Sequence, residues 1–290
     1  MLGTLLSDPF ATVTPLWRRL NRWGCAAVEI NDRHIALWAP GAVAAAVAPL
    51  PEGLVLDGMP QNPAAVGDLL GDLVLQAGLN LRAAAALLPS GETEWRLLRL
   101  EPAAPLKAQQ LPLAGVDQNL ALMPLAQPGE WMALLNKCQT IDRWIEVFAI
   151  ADLELDFLEV AEIAQLRALG IEFCDPAAPD CLLLDLQTNA SHFTWMQKGK
   201  PFYRQRLGPA GGANSAKLLA ELAVLSQFHD QPLWLMGCEL LQPGLAEQLL
   251  QFTSKLMWCQ INYHKLAIAM VATVRNGQKR LVVNPTSCWI

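Results

Sequence analysis

Twice along this chain a short apolar run breaks at a small polar turn and resumes as a second short run, and each time helical patterning follows. The first instance, residues 25–37, reads CAAVEINDRHIAL and turns at Asn31-Asp32-Arg33. The second, residues 181–206, reads CLLLDLQTNASHFTWMQKGKPFYRQR, with a polar turn at 187–191 and a further one at Lys198-Gly199 that adds a third strand. Strand, tight turn and strand is a hairpin signal. A hairpin cannot bury its own apolar face, so each unit needs covering helices. Two such units predict an α/β protein with two similar lobes, repeated in architecture and not in residues.

The intervening segments fill this outline. Asn62-Pro63 opens a helix in which Val66, Leu69, Leu70, Leu73 and Val74 fall at helical spacing before Gly78 closes it. Residues 81–88 predict a buried strand and 94–100 another, while 102–112, rich in Pro, Ala and Gln, predict a loop. A β-like run at 119–125 leads to Pro128-Gly129, and residues 130–149 carry a helical stripe of Leu134, Leu135, Cys138, Ile141, Ile145 and Phe148. A strand at 154–158 and a helix at 161–169 follow. The loop 172–180, with two prolines and three acids, predicts the boundary between lobes. The chain thus divides into an N-terminal helix or tail (1–24), a first lobe (25–171) with an inserted subdomain at about 81–160, and a second lobe (172–290). In that second lobe, helices are expected at 215–228 and 245–252, a strand at 233–236, and a closing apolar run at 266–274.

Composition removes several function classes. The chain has 290 residues, 53% of them hydrophobic, so a substantial core is expected. Its net charge of −6 comes with no long Lys/Arg run, which argues against nucleic acid as a partner. The 7 cysteines form no C-x-x-C pair and are odd in number, which fits reduced thiols in a cytoplasm. The 4 histidines are scattered without metal-ligand spacing. The first ten residues lack the basic start of a secretory signal, and no apolar stretch reaches the ~20 residues of a membrane span. Trp17, Arg18, Arg19, Arg22 and Trp23 form a small basic and aromatic cluster. It reads either as a helix with solvated arginines or as a contact for an anionic membrane surface.

Five segments in order resemble the actin-like ATPase superfamily, most closely the PilM family of type IV pilus assembly proteins in its PilM/MshI/FtsA branch. Residues 28–38 stand in the place of the first phosphate segment. Residues 132–169 are similar to the end of the inserted subdomain. Residues 182–206 resemble the second phosphate segment, with Asp185 in its acidic position. Gly237, Pro243, Gly244 and Leu245 match the adenosine segment, and residues 265–275 the closing helix. The resemblance implies a two-lobed actin-like (ribonuclease H-like) fold with an inserted small α/β subdomain in the first lobe. It also implies ATP and Mg as cofactors, with Asp32, Asp185, Thr188, Asn189, Gly211, Gly212, Gly237 and Gly244 around the nucleotide and Asp185 as the Mg candidate.

In this fold, glycine turns let backbone N–H groups approach phosphates. Here Asn31, Asp32 and Arg33 replace the first glycine turn, Gln187 and Thr188 stand soon after Asp185 where glycine is usual, and Cys238 and Glu239 follow Gly237. Degenerate nucleotide binding is the expectation. No catalytic residue is assigned. Asp32 and Thr188 also read simply as turn residues, and Asp185 as a strand end. The family's partner is the cytoplasmic tail of PilN, an inner-membrane protein, held between the first subdomain and the inserted one. The resemblance therefore implies a cytoplasmic scaffold, peripheral at the inner membrane through its partner, in contact with other pilus assembly proteins. A functional ATP-binding protein or weak ATPase of the same fold is the alternative.

Overall fold

The computed structural model describes residues 25–39, 45–100, 117–125, 127–169, 175–187, 189–210, 215–225, 231–236, 256–258 and 282–283. Expectations for 1–24, 102–112, 245–252 and 266–274 lie outside them.

The first lobe opens with β1 (Cys25–Ile30), β2 (His34–Trp38) and β3 (Ala46–Pro49), an antiparallel meander, then a two-strand hairpin of β4 (Val55–Leu56) and β5 (Met59–Pro60). Helix α1 (Pro63–Gln76) starts where Asn62 accepts from the Ala65 N–H at 3.2 Å and Pro63 fixes the first helical φ. Strand β6 (Ala83–Leu88) follows. Next come β7 (Glu94–Arg99), β8 (Gln118–Pro124) and β9 (Glu130–Lys137), which form their own small sheet with β9 in the centre. Helix α2 (Cys138–Ile150), strand β10 (Glu154–Val160) and helix α3 (Ala161–Ala168) complete the run.

The second lobe begins with the meander β11 (Cys181–Asp185), β12 (Ser191–Gln197) and β13 (Lys200–Leu207). Helix α4 (Ser215–Val224) and strands β14 (Leu233–Met236) and β15 (Leu256–Trp258) follow, and β16 (Val282–Val283) returns to the first lobe. The large sheets run β16-β10-β6-β1-β2-β3 and β13-β12-β11-β14-β15. In each, a three-stranded meander is continued by two parallel strands beside its first strand, β6 and β10 in one, β14 and β15 in the other. The duplication foreseen from the two hairpins is thus a duplication of strand order.

The alanines of β6 make sense once both of its faces are covered, since a central parallel strand must be apolar throughout. Ala84, Ala86 and Leu88 pack with Leu70 of α1 and Trp144 and Phe148 of α2, while Ala85 and Leu87 pack with Trp38 and with Ala164 of α3. Close approach of α1 to α2 depends on Gly67: a Cβ there would lie 2.7 Å from the Val147 carbonyl oxygen. In the second lobe, Leu182 and Leu184 face Leu218 and Leu222 of α4, and Leu183 faces Leu166 of α3. Helix α3 therefore contributes to the cores of both lobes.

One expected element changes type. The helical stripe over 130–149 holds only from Cys138 onward, because Glu130–Lys137 is the central strand of the small sheet. Its run EWMALLNK is buried from Met132 to Asn136, on both faces, so it carries no alternation. A short, continuously apolar run cannot be assigned to strand or helix by periodicity.

Candidate functional site

The turn of β1–β2 and the turn of β11–β12 meet between the lobes, and the geometry of the first is set by Asn31. Its Oδ1 accepts from the backbone N–H of Arg33 and of His34, each at 3.0 Å, and its own N–H donates to the His34 carbonyl at 3.1 Å. This is an Asx-type turn, in which a side chain stands in for a backbone bend. Its chemical consequence is direct: the N–H groups of Arg33 and His34 are already bonded to the turn's own side chain.

Asp32 points away from its own turn. One carboxylate oxygen accepts from the Gly58 N–H at 2.8 Å, at the tip of the β4–β5 hairpin, and the other from the Asn189 side-chain amide at 2.6 Å, in the β11–β12 turn. Burial raises its pKa above the usual carboxylate value, opposed by the N–H groups of Gly58 and Asp57 and by Asn189. Asp185 ends β11, buried, and accepts from the Gln187 amide at 2.7 Å. The structure therefore ties Asp32 to Asn189 and places Asp185 on the same strand-turn unit. Thr188, Gly211, Gly212, Gly237 and Gly244 lie outside the described residues.

Two further acids belong to this junction. Burial pushes the Glu29 carboxyl up to about 7; the Asn31 amide at 3.4 Å opposes the shift, and the charge of Asp185 adds to it. Glu162, at the start of α3, is also raised by burial and by Asp185, against the pull of Arg204. Sequence reasoning passed over both. Glu29 did leave a signal, as the one charge inside the apolar run CAAVEI. A carboxyl at such a position must be neutralised or paired.

Around the turns, the lobes meet through β12 and β13. Arg206 pairs with Asp57 at 2.5 Å, Arg204 with Glu162 at 2.7 Å, and Lys200 with Glu130 at 3.0 Å. Arg204 also donates to the Thr93 carbonyl. The His192 ring lies against Gly91, where a Cβ would come within 3.1 Å of it. Burial, helped by Arg204 and Arg206, holds that imidazole down at about 4, so it is neutral near pH 7.

At the first turn, then, the residues present do not match a phosphate-binding loop. The N–H groups of Arg33 and His34 are bonded to Asn31, and the Asp32 carboxylate is bonded to protein donors. Among the described residues, no group of three His, Cys, Asp or Glu side chains is placed to hold a metal ion.

No protein-family model matches the chain, and no curated protein matches it. Solved structures do. A chain of the PilM-PilN type IV pilus biogenesis complex is similar at a TM-score of 0.63 and 18% identity, over 87% of this chain and 96% of that one. The ethanolamine utilization protein EutJ from Carboxydothermus hydrogenoformans is similar at 0.55 and 15%, over 90% and 99% of the two chains. A Bacteroides thetaiotaomicron protein with actin-like ATPase fold and unknown function gives 0.50 and 8%, over 87% and 95%. At such identities the likeness is one of fold. The chain has the two-lobed actin-like ATPase fold.

Proposed function

We propose that this chain is a scaffold of the PilM kind, working in type IV pilus or related secretion machinery by holding the cytoplasmic tail of a PilN-like inner-membrane protein. The observation that carries the reading is the likeness to the PilM-PilN complex across nearly the whole of both chains. In this reading the protein is cytoplasmic, sits at the inner membrane through its partner, and meets other pilus assembly proteins there. No helix among the described residues is long and apolar enough to cross a membrane. Two edge strands suit an extended tail. Among the described residues, β7 is an edge strand of the small sheet with Leu97 52% exposed, and β3 is an edge strand of the first large sheet with Val47 51% exposed. Such edges offer a peptide backbone pairing and side-chain contact at once.

A pull-down with the cytoplasmic tail of a PilN-like protein tests this. Retention is expected, with Leu97→Asp weakening it about tenfold, equivalent to about 1.4 kcal/mol of lost apolar contact. If the intact chain retains no such tail, the reading falls.

Degenerate nucleotide binding belongs to the same reading, supported by the Asx turn at Asn31 and the bonded state of Asp32. The second reading, an ATP-binding protein or weak ATPase, is favoured by one observation: Asp185 ends the first strand of its lobe close enough to Glu29 to raise the latter's pKa. Calorimetry with magnesium-ATP separates the two. Under the scaffold reading no micromolar binding is expected; micromolar binding that Asp185→Ala abolishes establishes the second.

A further inference from the structure

Asp57 and Gly58, at the tip of the β4–β5 hairpin, are consecutive residues in the left-handed region, with φ of 53° and 73°. Two such residues in succession make the tight turn of the hairpin, and a turn can present successive N–H groups to one anion. The tip is also held in place. A side chain at Gly58 would put its Cβ 2.5 Å from Cγ of Pro89, so only glycine seats there. The Gly58 N–H donates to one Asp32 carboxylate oxygen at 2.8 Å, the neighbouring Asp57 N–H helps to lower that acid's pKa, and the Asn189 amide closes the opposite side at 2.6 Å. Donors from two distant parts of the chain thus converge on one acid that is 8% exposed. The charge that acts on Asp32 is the Asp57 carboxylate, which adds to the upward shift and is itself paired with Arg206 at 2.5 Å.

We propose that the Asp57 and Gly58 N–H groups and the Asn189 amide form an anion-binding cradle, which the chain fills with its own Asp32 carboxylate. The ligand class it fits is a small oxyanion, a phosphate or a carboxylate. Asp32 acts as a tethered stand-in for that ligand: it satisfies the donors, links the first lobe to the second, and excludes a free anion. The inference concerns the junction alone and stands whether or not a PilN-like tail binds elsewhere.

The test uses the full chain and inorganic phosphate, followed by the amide resonance of Gly58 and by calorimetry. Asp32→Ala is expected to bind phosphate and to shift the Gly58 resonance, while the unmodified chain at the same phosphate concentration does neither. Asp32→Ala combined with Asn189→Ala is expected to bind about tenfold more weakly, the scale of one lost hydrogen bond to a charged group. A folded Asp32→Ala chain whose Gly58 resonance ignores phosphate overturns the proposal.

A second measurement covers failure of that variant to fold. In the unmodified chain the Gly58 resonance is expected to follow one carboxyl that titrates above the ordinary aspartate range as the pH is lowered. The charge that acts on Asp32 is that of Asp57, with Arg206 upon it, and its own turn carries the Arg33 guanidinium and the His34 imidazole, whose pKa burial lowers. Asp57→Asn should therefore leave that titration in place and Asp32→Asn remove it. A Gly58 resonance that stays flat as the pH is lowered overturns the cradle.

Discussion

Single acids at the junction set how this protein responds to pH. Glu29 keeps its proton to about pH 7 when folded, against the ordinary carboxyl value of 4.5. Between these values the folded chain holds the extra proton, so Glu29's contribution to stability falls as pH rises through the window. His192 works in the opposite sense. Its pKa drops from 6.5 to about 4, so its contribution is lost as pH falls through that interval. The two slopes oppose each other where the windows overlap, and only Glu29 acts just below neutrality. Glu29→Gln is therefore expected to stabilise the chain by on the order of 1–3 kcal/mol at about pH 8, and by much less at about pH 5. Thermal melts at the two pH values check this; equal effects at both would remove Glu29 from the account. None of this could be placed from the sequence, which identifies an acid in an apolar run but not the buried partner across the cleft. Asp32 shows the same limit. Its turn was legible from Asn31-Asp32-Arg33, whereas its bonds to Gly58 and Asn189 span 26 and 157 residues.

Among the elements, β13 carries the lobe contact. Lys200, Arg204 and Arg206 each reach a different part of the first lobe: the start of β9, the start of α3 and the tip of the β4–β5 hairpin. The outermost pair, Arg206 with Asp57, is the one whose removal least endangers folding, since Arg206 has 64% of its side chain exposed. A double-mutant cycle with Arg206→Gln and Asp57→Asn is expected to give a coupling of about 0.2–1 kcal/mol that shrinks at high salt. Asparagine keeps the left-handed φ of 53° tolerable, so the cycle reads charge and not strain. Urea melts at low and high salt measure it; zero coupling at low salt would make the pair incidental to the contact. Most elements themselves were legible. Helix α1 carried its start signal, its stripe and its closing glycine, and both hairpins carried their turns. Residues 130–137 were not, because a strand buried on both faces shows neither of the two periods from which elements are read.

For the whole molecule, the two-lobed architecture followed from seeing one pattern twice, and the structure shows why that sufficed: each unit builds a sheet of the same strand order. The path of the chain adds a mechanical property. It leaves the first lobe after α3, and it comes back between β15 and β16 to lie antiparallel to β10. Helix α3 adds a further bond between the two bodies, because Ala164 lies in a cluster with β1 and β6 of the first lobe and Leu166 in one with β11 and β12 of the second, so the lobes cannot part without baring one of these two side chains.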